Sequence, residues 1–353
     1  VTPLAQILSR RIAAEGPISV QTFMAEALGH AEHGYYRKKD PLGAQGDFIT
    51  APEISQMFGE MIGLWCAVVW QSLGEPARMI LAEAGPGRGT LMADLLRAAE
   101  MVPAFRRAIE IHLIETSPTL RAKQAAALHG NSPVWHERLE QLPQDAPLIL
   151  VANEFLDALP IRQFIRRADG WRERMVTLES GAFAFADGPL AEIEAPVAQE
   201  GDIFEICPAA RQTAALVGER LQAQGGVALF IDYGHGASAC GDSLQAVRQH
   251  AYAPVLADPG EADLTAHVDF QTVAQAARPA RACKLLTQGA FLRSMGIELR
   301  ADRLARAQPD KAEDIAKACR RLIDSSKMGT LFKVMAIASG GIPLPPGFSA
   351  DDA

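Results

Sequence analysis

The residues with the clearest capacity for chemistry lie in the run Met79-Ile80-Leu81-Ala82-Glu83-Ala84-Gly85-Pro86-Gly87-Arg88-Gly89-Thr90-Leu91. A short apolar stretch ends at an acid, three glycines alternate at Gly85, Gly87 and Gly89, and a helical pattern starts at Thr90. Glycine lets the backbone adopt positive φ and approach a ligand closely. The N–H groups that open the next helix attract a polar or anionic group. Two common phosphate-binding patterns do not fit. A Walker loop needs G-K-[ST], and here Gly89-Thr90 has no lysine between. A nicotinamide fingerprint needs G-x-G-x-x-G and an acid about 20 residues on. This turn reads G-x-G-x-G, and the next acid at a strand end, Glu115, lies further along.

Two carboxylates flank this turn. Glu83 stands two residues before Gly85, at the mouth of a sheet, where it can meet a cationic amino-acid group. Glu115 ends a second apolar run, and its two acceptor oxygens suit the two hydroxyls of a ribose. Either acid alone reads equally as a surface carboxylate at a strand end; both around one turn favour a ligand. A sugar, a cationic amino acid and close backbone approach together describe S-adenosyl-L-methionine, which is the expected cofactor, bound by Glu83, Gly85, Gly87, Gly89 and Glu115. Asp47 and Thr50, in a long early loop, would close over it.

A further acidic cluster follows the apolar run 148–151: Asn153, Glu154 and Asp157. Methyl transfer is an in-line displacement, so the protein must align a nucleophile, manage its proton and exclude water. Acids suit a guanidinium nucleophile, which they hold through paired hydrogen bonds. Glu154, Asn153 and Asp157 are therefore the candidate catalytic residues, although Asn153 and Asp157 also read as caps of the next turn. Asp232 and Tyr233, ending another apolar strand, would border the substrate channel. His30 and His33 lack the pattern of a zinc protease and read as loop histidines. No metal is expected.

These residues need a scaffold of alternating strands and helices. Helical spacing runs over 3–32, broken at Gly16-Pro17, with Ser19 as a cap. Residues 33–52 read as a loop and 53–73 as a helix. Strands are expected at 79–84, 111–114, 134–136, 148–152 and 227–231. Helices are expected at 90–100, at 117–128 with Ser117 as cap and Pro118 at its first position, and at 209–222. Such alternation implies a parallel sheet covered on both faces. It is interrupted at 161–206 by antiparallel strands with hairpin signals at Asp169-Gly170 and Ser180-Gly181. Residues 236–270 read as irregular. A strand at 282–287, helices at 291–295 and 304–325, and a strand at 330–337 close the pattern. The expected organisation is an N-terminal helical and cofactor-lid segment (1–77), a main domain (78–338) with insertions at about 161–206 and 236–270, and a flexible tail (339–353).

The chain has 353 residues, 48% hydrophobic and 22% charged, with a net charge of −8. That composition is ordinary for a globular protein. The acidic balance argues against a nucleic-acid partner. Arg162, Arg166, Arg167, Arg172 and Arg174 form one local basic cluster, which reads as a solvated hairpin face. Five scattered cysteines suggest neither disulfides nor a zinc cluster, and a reducing compartment is expected. The apolar runs are too short to span a bilayer, and the first residues do not read as a signal peptide.

The chain resembles the MidA family. The resemblance is carried in order by His33-Gly34-Tyr35-Tyr36, Gly46-Asp47-Phe48-Ile49-Thr50-Ala51-Pro52-Glu53-Ile54-Ser55, the glycine turn, Glu115-Thr116-Ser117-Pro118, and Asn153-Glu154-Phe155 with Asp157-Ala158-Leu159-Pro160. It continues through Ile231-Asp232-Tyr233-Gly234, His267-Val268-Asp269-Phe270, Thr287-Gln288-Gly289 and Gly329-Thr330-Leu331-Phe332-Lys333. It implies an α/β class I methyltransferase (Rossmann-like) fold, with a seven-stranded sheet whose last strand is antiparallel. It also implies a protein substrate, methylated on arginine, which in the mitochondrial relatives is a respiratory complex I subunit. The compartment would be the cytoplasm in a bacterium and the mitochondrial matrix in a eukaryote. Two other readings stand beside this one: an assembly or binding factor that keeps the fold without turnover, and a small-molecule methyltransferase.

Overall fold

The computed structural model describes residues 1–38 and 50–348. Asp47, one of the expected cofactor contacts, lies outside the described residues. The chain divides into two compact units. One contains 50–156, Thr213–Gly234 and 272–348; the other contains 1–38, Asp157–Gln212 and His235–Gln271. The expected segment 1–77 is thus shared between them. Among the described residues, no helix is long and apolar enough to cross a membrane.

The first unit is an α/β fold around a mixed sheet. Its strands are β1 (Met79–Ala84), β2 (Ile109–Ile114), β3 (Val134–His136), β4 (Leu148–Asn153), β5 (Gly226–His235) and β6 (Phe332–Ala338). Pairing runs β6-β5-β4-β1-β2-β3. All pairs are parallel except β5 with β6. Every residue of β1 and β4 is buried. That explains their near-continuous apolar sequences, since a parallel strand is covered on both faces. From β1 the chain steps to β2 and β3 on one side, then returns to β4 on the other. The direction of progression therefore reverses between β1 and β4, and open α/β sheets bind ligands outside the carboxyl ends at such a point.

The outer edge differs from the single strand expected at 282–287. Arg281–Ala282 pairs with Ala338 and Ile337, and Leu286–Thr287 with Val334 and Lys333. Between them the Cys283 N–H still donates to the Ala336 carbonyl at 2.8 Å. The helix expected over 304–325 is two, Ile297–Ala307 and Ala312–Ile323. Pro309 sits between them, and proline cannot donate the bond that would continue the first helix. The expected flexible tail is packed as far as Phe348. Trp65 Nε1 donates to the Pro346 carbonyl at 3.0 Å, and Phe348 is buried with its ring 6.0 Å from Phe291.

Helix α1 (Gln56–Ser72) lies on helix α2 (Thr90–Ala99). Gly59 and Gly63, one turn apart, allow the contact. A Cβ at Gly59 would sit 2.5 Å from Asp94 Cβ, and one at Gly63 2.6 Å from the Leu95 carbonyl oxygen.

The second unit has its own core, with Leu4, Leu8, Phe23 and Met24 of the first two helices packed with Val176 and Leu264. Those helices are Pro3–Glu15 and Val20–Gly29, and the Ser19 hydroxyl caps the second by accepting from the Thr22 N–H at 3.1 Å. The antiparallel strands expected after residue 160 are Arg162–Arg167, Gly170–Glu179, Ala182–Ala191 and Ile203–Ile206. The stretch 236–270 is more ordered than its composition suggests. Gln245–Arg248 pairs with both Ala251–Ala253 and Asp263–Thr265, strands too short to leave a periodic signature. The loop expected from residue 33 opens with a helical turn, Tyr35–Lys38. Four of the five arginines of the basic cluster are paired in place: Arg162 with Glu173, Arg167 with Asp187, Arg172 with Asp169 and Arg174 with Asp242.

Replacing Gly63 with valine tests the helix contact. Removing a helical glycine gains up to about 1 kcal/mol in propensity. Overpacking costs about 1–3 kcal/mol, and here the clash is with backbone, so the cost wins. Calorimetric melting of Gly63→Val is expected to show a lowered Tm; an unchanged or raised Tm would contradict the close packing.

Candidate active site

β1 carries Glu83 and Ala84 to the carboxyl edge of the sheet, beside Val151 and Ala152 of β4. The turn then closes on itself. The Gly85 N–H donates to the Ile114 carbonyl (3.1 Å) and the Gly89 N–H to the Pro86 carbonyl (2.7 Å). Gly85, Gly87 and Gly89 have φ of 65°, 53° and 83°, a region costly for residues with a Cβ. A Cβ on Gly85 would also stand 3.1 Å from the Phe155 ring. Glu83 is 3% exposed, and its Oε2 has no hydrogen-bond partner among the described residues. Burial pushes its pKa up to about 8.

Glu115 stands beyond β2. Its Oε1 accepts from the Ser117 N–H at 2.7 Å and its Oε2 from Gln124 Nε2 at 3.1 Å. Burial raises its pKa, and those same hydrogen bonds oppose the rise. Arg121 Nε donates to the Glu115 backbone carbonyl at 2.8 Å. Gln124 belongs to helix α3 (Pro118–Ala127) and is wholly buried. Sequence reasoning missed it, because a lone glutamine in a helix carries no motif. It missed Glu53 as well. The Thr90 hydroxyl donates to Glu53 Oε1 at 2.5 Å, and Arg88 lies 3.8 Å from Glu53 Oε2. That acid was visible only as part of the longer early motif.

At the end of β4, Glu154 adopts φ 50°, a left-handed conformation that a non-glycine residue holds only at a cost and that concentrates at functional sites. Its N–H donates to the Ile231 carbonyl at 2.8 Å. Its Oε1 accepts from the Ala51 N–H and from Asn153 Nδ2, both at 3.1 Å. Asn153 is buried, and its Oδ1 has no hydrogen-bond partner among the described residues. Thr50 stands at the start of the helix Ala51–Ile54, and its side chain makes no capping bond.

The remaining expected residues have the following surroundings. Asp232 is 1% exposed and both its oxygens accept backbone N–H groups, Oδ2 from Leu156 (2.9 Å) and Oδ1 from Tyr233 (3.0 Å). It braces the Asn-Glu-Phe-Leu turn from below. The Tyr233 ring packs edge-on against Phe332, with centroids 5.5 Å apart. Asp157 belongs to the other unit, where its backbone carbonyl accepts from the Ala266 N–H at 3.0 Å. In that unit the Tyr36 hydroxyl donates to Asp263 Oδ1 at 2.8 Å. Burial, with Asp263 and Asp157 nearby, raises the Tyr36 pKa well above its ordinary value.

Unpartnered buried oxygens on Glu83 and Asn153 are features that a polar ligand would satisfy. Together with a turn in which a Cβ at Gly85 would be strained and crowded, they fit S-adenosylmethionine. The comparisons with known proteins agree. A family model for S-adenosyl-L-methionine-dependent methyltransferases matches residues 61–288. The chain is 36% identical to the mitochondrial protein arginine methyltransferase NDUFAF7 of Danio rerio, over 94% of this chain and 85% of that protein. It is 34% identical to that of Homo sapiens, over 96% and 83%. Its fold matches the crystal structure of a Burkholderia thailandensis protein bound to S-adenosyl-homocysteine, with a TM-score of 0.86 and 28% identity over 98% of this chain and 94% of that one.

Glu83 gives this edge a measurable pH signature. In the ligand-free protein it keeps its proton to about pH 8, against an ordinary value of 4.5. A group raised in this way stabilises the fold fully below its unfolded pKa and loses that contribution as pH rises through its folded pKa. Urea melts of wild type and Glu83→Gln at pH 5.5, 7 and 8.5 should therefore diverge, with the variant gaining relative stability as pH rises. Parallel profiles would mean that Glu83 is ionised in the folded protein throughout.

Proposed function

This chain belongs to the MidA family of S-adenosylmethionine-dependent methyltransferases, and from that premise we propose that it methylates an arginine of a protein substrate. The observation that carries the reading is Glu154, a carboxylate held in left-handed backbone at the switch point, beside the strand end that carries the buried Glu83. The arginine specificity printed in the names of the relatives supports it.

In this reading Gly85, Gly87 and Gly89 let the cofactor approach the backbone, Glu115 receives the ribose hydroxyls and Glu83 faces the ammonium group. Bound S-adenosylmethionine supplies an electrophilic methyl on sulfur. Glu154 holds the substrate guanidinium and takes the proton that the attacking nitrogen must lose, while Asn153 orients the Glu154 carboxylate through Nδ2. Thr50 is read as a further cofactor contact, as is Asp47, which lies outside the described residues. Asp232, which also keeps the Glu154 turn in place through the Leu156 N–H, and Tyr233 border the path of the substrate, and Asp157 keeps its reading as a catalytic candidate. The sheet is read as the seven-stranded class I arrangement, with 281–282 and 286–287 as the two ends of one interrupted strand and 161–206 as an insertion. The protein target follows the family resemblance, a respiratory complex I subunit, in the mitochondrial matrix of a eukaryote or the cytoplasm of a bacterium.

The test is incubation with methyl-labelled S-adenosylmethionine and candidate protein substrates, a complex I subunit among them, followed by hydrolysis and amino-acid analysis. Label is expected on arginine. Glu154→Gln should lower transfer at least about 100-fold, the low end for loss of an acid–base group, with cofactor affinity nearly unchanged. Label confined to small molecules would reject the protein substrate, and full transfer by Glu154→Gln would reject the assigned role.

A further inference from the structure

Gln124 ties three parts of the cofactor edge together. Its Nε2 donates to the Gly87 carbonyl at 2.7 Å and to Glu115 Oε2 at 3.1 Å, while its Oε1 accepts from Trp135 Nε1 at 2.8 Å. The indole nitrogen can only donate. It therefore fixes which end of the Gln124 amide is oxygen, and the amide NH2 must face the glycine turn and the acid. Both NH2 protons are then used, one on each side. The residue is fully buried, and the α3 backbone presses against the turn: a Cβ on Gly89 would lie 3.3 Å from Gln124 Cα.

We propose that Gln124, oriented by Trp135, is a positioning residue for the cofactor: it locks the left-handed turn at Gly87 and the carboxylate of Glu115 into one arrangement. The proposal rests on the reading of Glu115 as the ribose ligand. Glu115 has four acceptor lone-pair positions. The Ser117 N–H and the Gln124 amide engage one on each oxygen, and the Thr116 N–H also bonds the carboxylate, so the acceptor capacity that remains for a sugar hydroxyl depends on how the carboxylate is turned. Without the amide, the carboxylate can rotate about its terminal torsion, and the Gly87 carbonyl loses the donor that holds it.

The chemistry predicts a specific failure. In Gln124→Glu the Trp135 donor is still met, but an ionised carboxylate would face Glu115 and the Gly87 carbonyl with no proton to give. Protonation restores one donor. Calorimetric titration with S-adenosyl-homocysteine should show the Gln124→Glu complex at least about 10-fold weaker than wild type at pH 8, the scale of one lost hydrogen bond to a charged group. That ratio should shrink at pH 5.5. A group that served only to fill space would give the same ratio at both values. At saturating cofactor, kcat should stay within about 3-fold of wild type, since Gln124 is not placed to handle the substrate proton.

Trp135→Phe covers the case in which Gln124→Glu does not fold: it keeps an aromatic ring, removes the N–H that orients the amide, and should weaken binding by a smaller factor. Glu115→Gln separates the two levels of the argument. Unchanged binding there would overturn the ribose reading. Weakened binding by Glu115→Gln with unchanged binding by folded Gln124→Glu, or by Trp135→Phe where Gln124→Glu is unfolded, would overturn the role of Gln124 alone. A pH-independent ratio for Gln124→Glu would overturn it too.

Discussion

A carboxylate taken out of water without a partner opposes folding, because it must surrender either hydration or its charge. Glu83, whose Oε2 has no hydrogen-bond partner among the described residues, is such a group, near the end of a strand whose six residues are all buried. The rest of the cofactor edge is arranged around it. The strand that carries it must be apolar, since the parallel sheet covers it on both faces. The turn that follows must be glycine, since the chain reverses within reach of the Phe155 ring on one side and α3 on the other. A ligand bearing a cation supplies what the acid lacks, so the unfavourable burial becomes a source of affinity.

Two buried polar side chains brace this edge, one on each side of β1. Asp232 grips the backbone of Leu156 and Tyr233 and so fixes the turn that displays Glu154. Gln124 grips Gly87 and Glu115. Each directs hydrogen bonds to main chain or to another side chain, which is what holding a reactive geometry without adaptation requires. The left-handed Glu154 shows the same economy: its backbone strain is held by the N–H bond to Ile231, and its carboxylate is steered by Ala51 and Asn153.

Much of this was legible in the sequence because buried parallel strands and glycine turns leave strong local signals. The runs 79–84 and 148–151, the alternating glycines and the Ser19 and Ser117 caps all express short-range rules. What stayed hidden depends on distant partners. Asp232 could be placed at a strand end, but which groups its oxygens meet is set by a residue 76 positions away. Gln124 lies in an ordinary helix and gains its role from a glycine 37 positions earlier and a tryptophan 11 later. The short strands within 236–270 have too few residues for a period, and the tail is held by Trp65 and Phe291, which its own glycine-rich sequence does not announce.

The most direct measurement is a crystal structure of this protein with S-adenosyl-homocysteine. The predicted result is a ligand lying across the glycine turn, with its ribose hydroxyls on the Glu115 oxygens and its ammonium group toward Glu83. A ligand bound elsewhere, or a sugar on that turn that leaves Glu115 uncontacted, would contradict it.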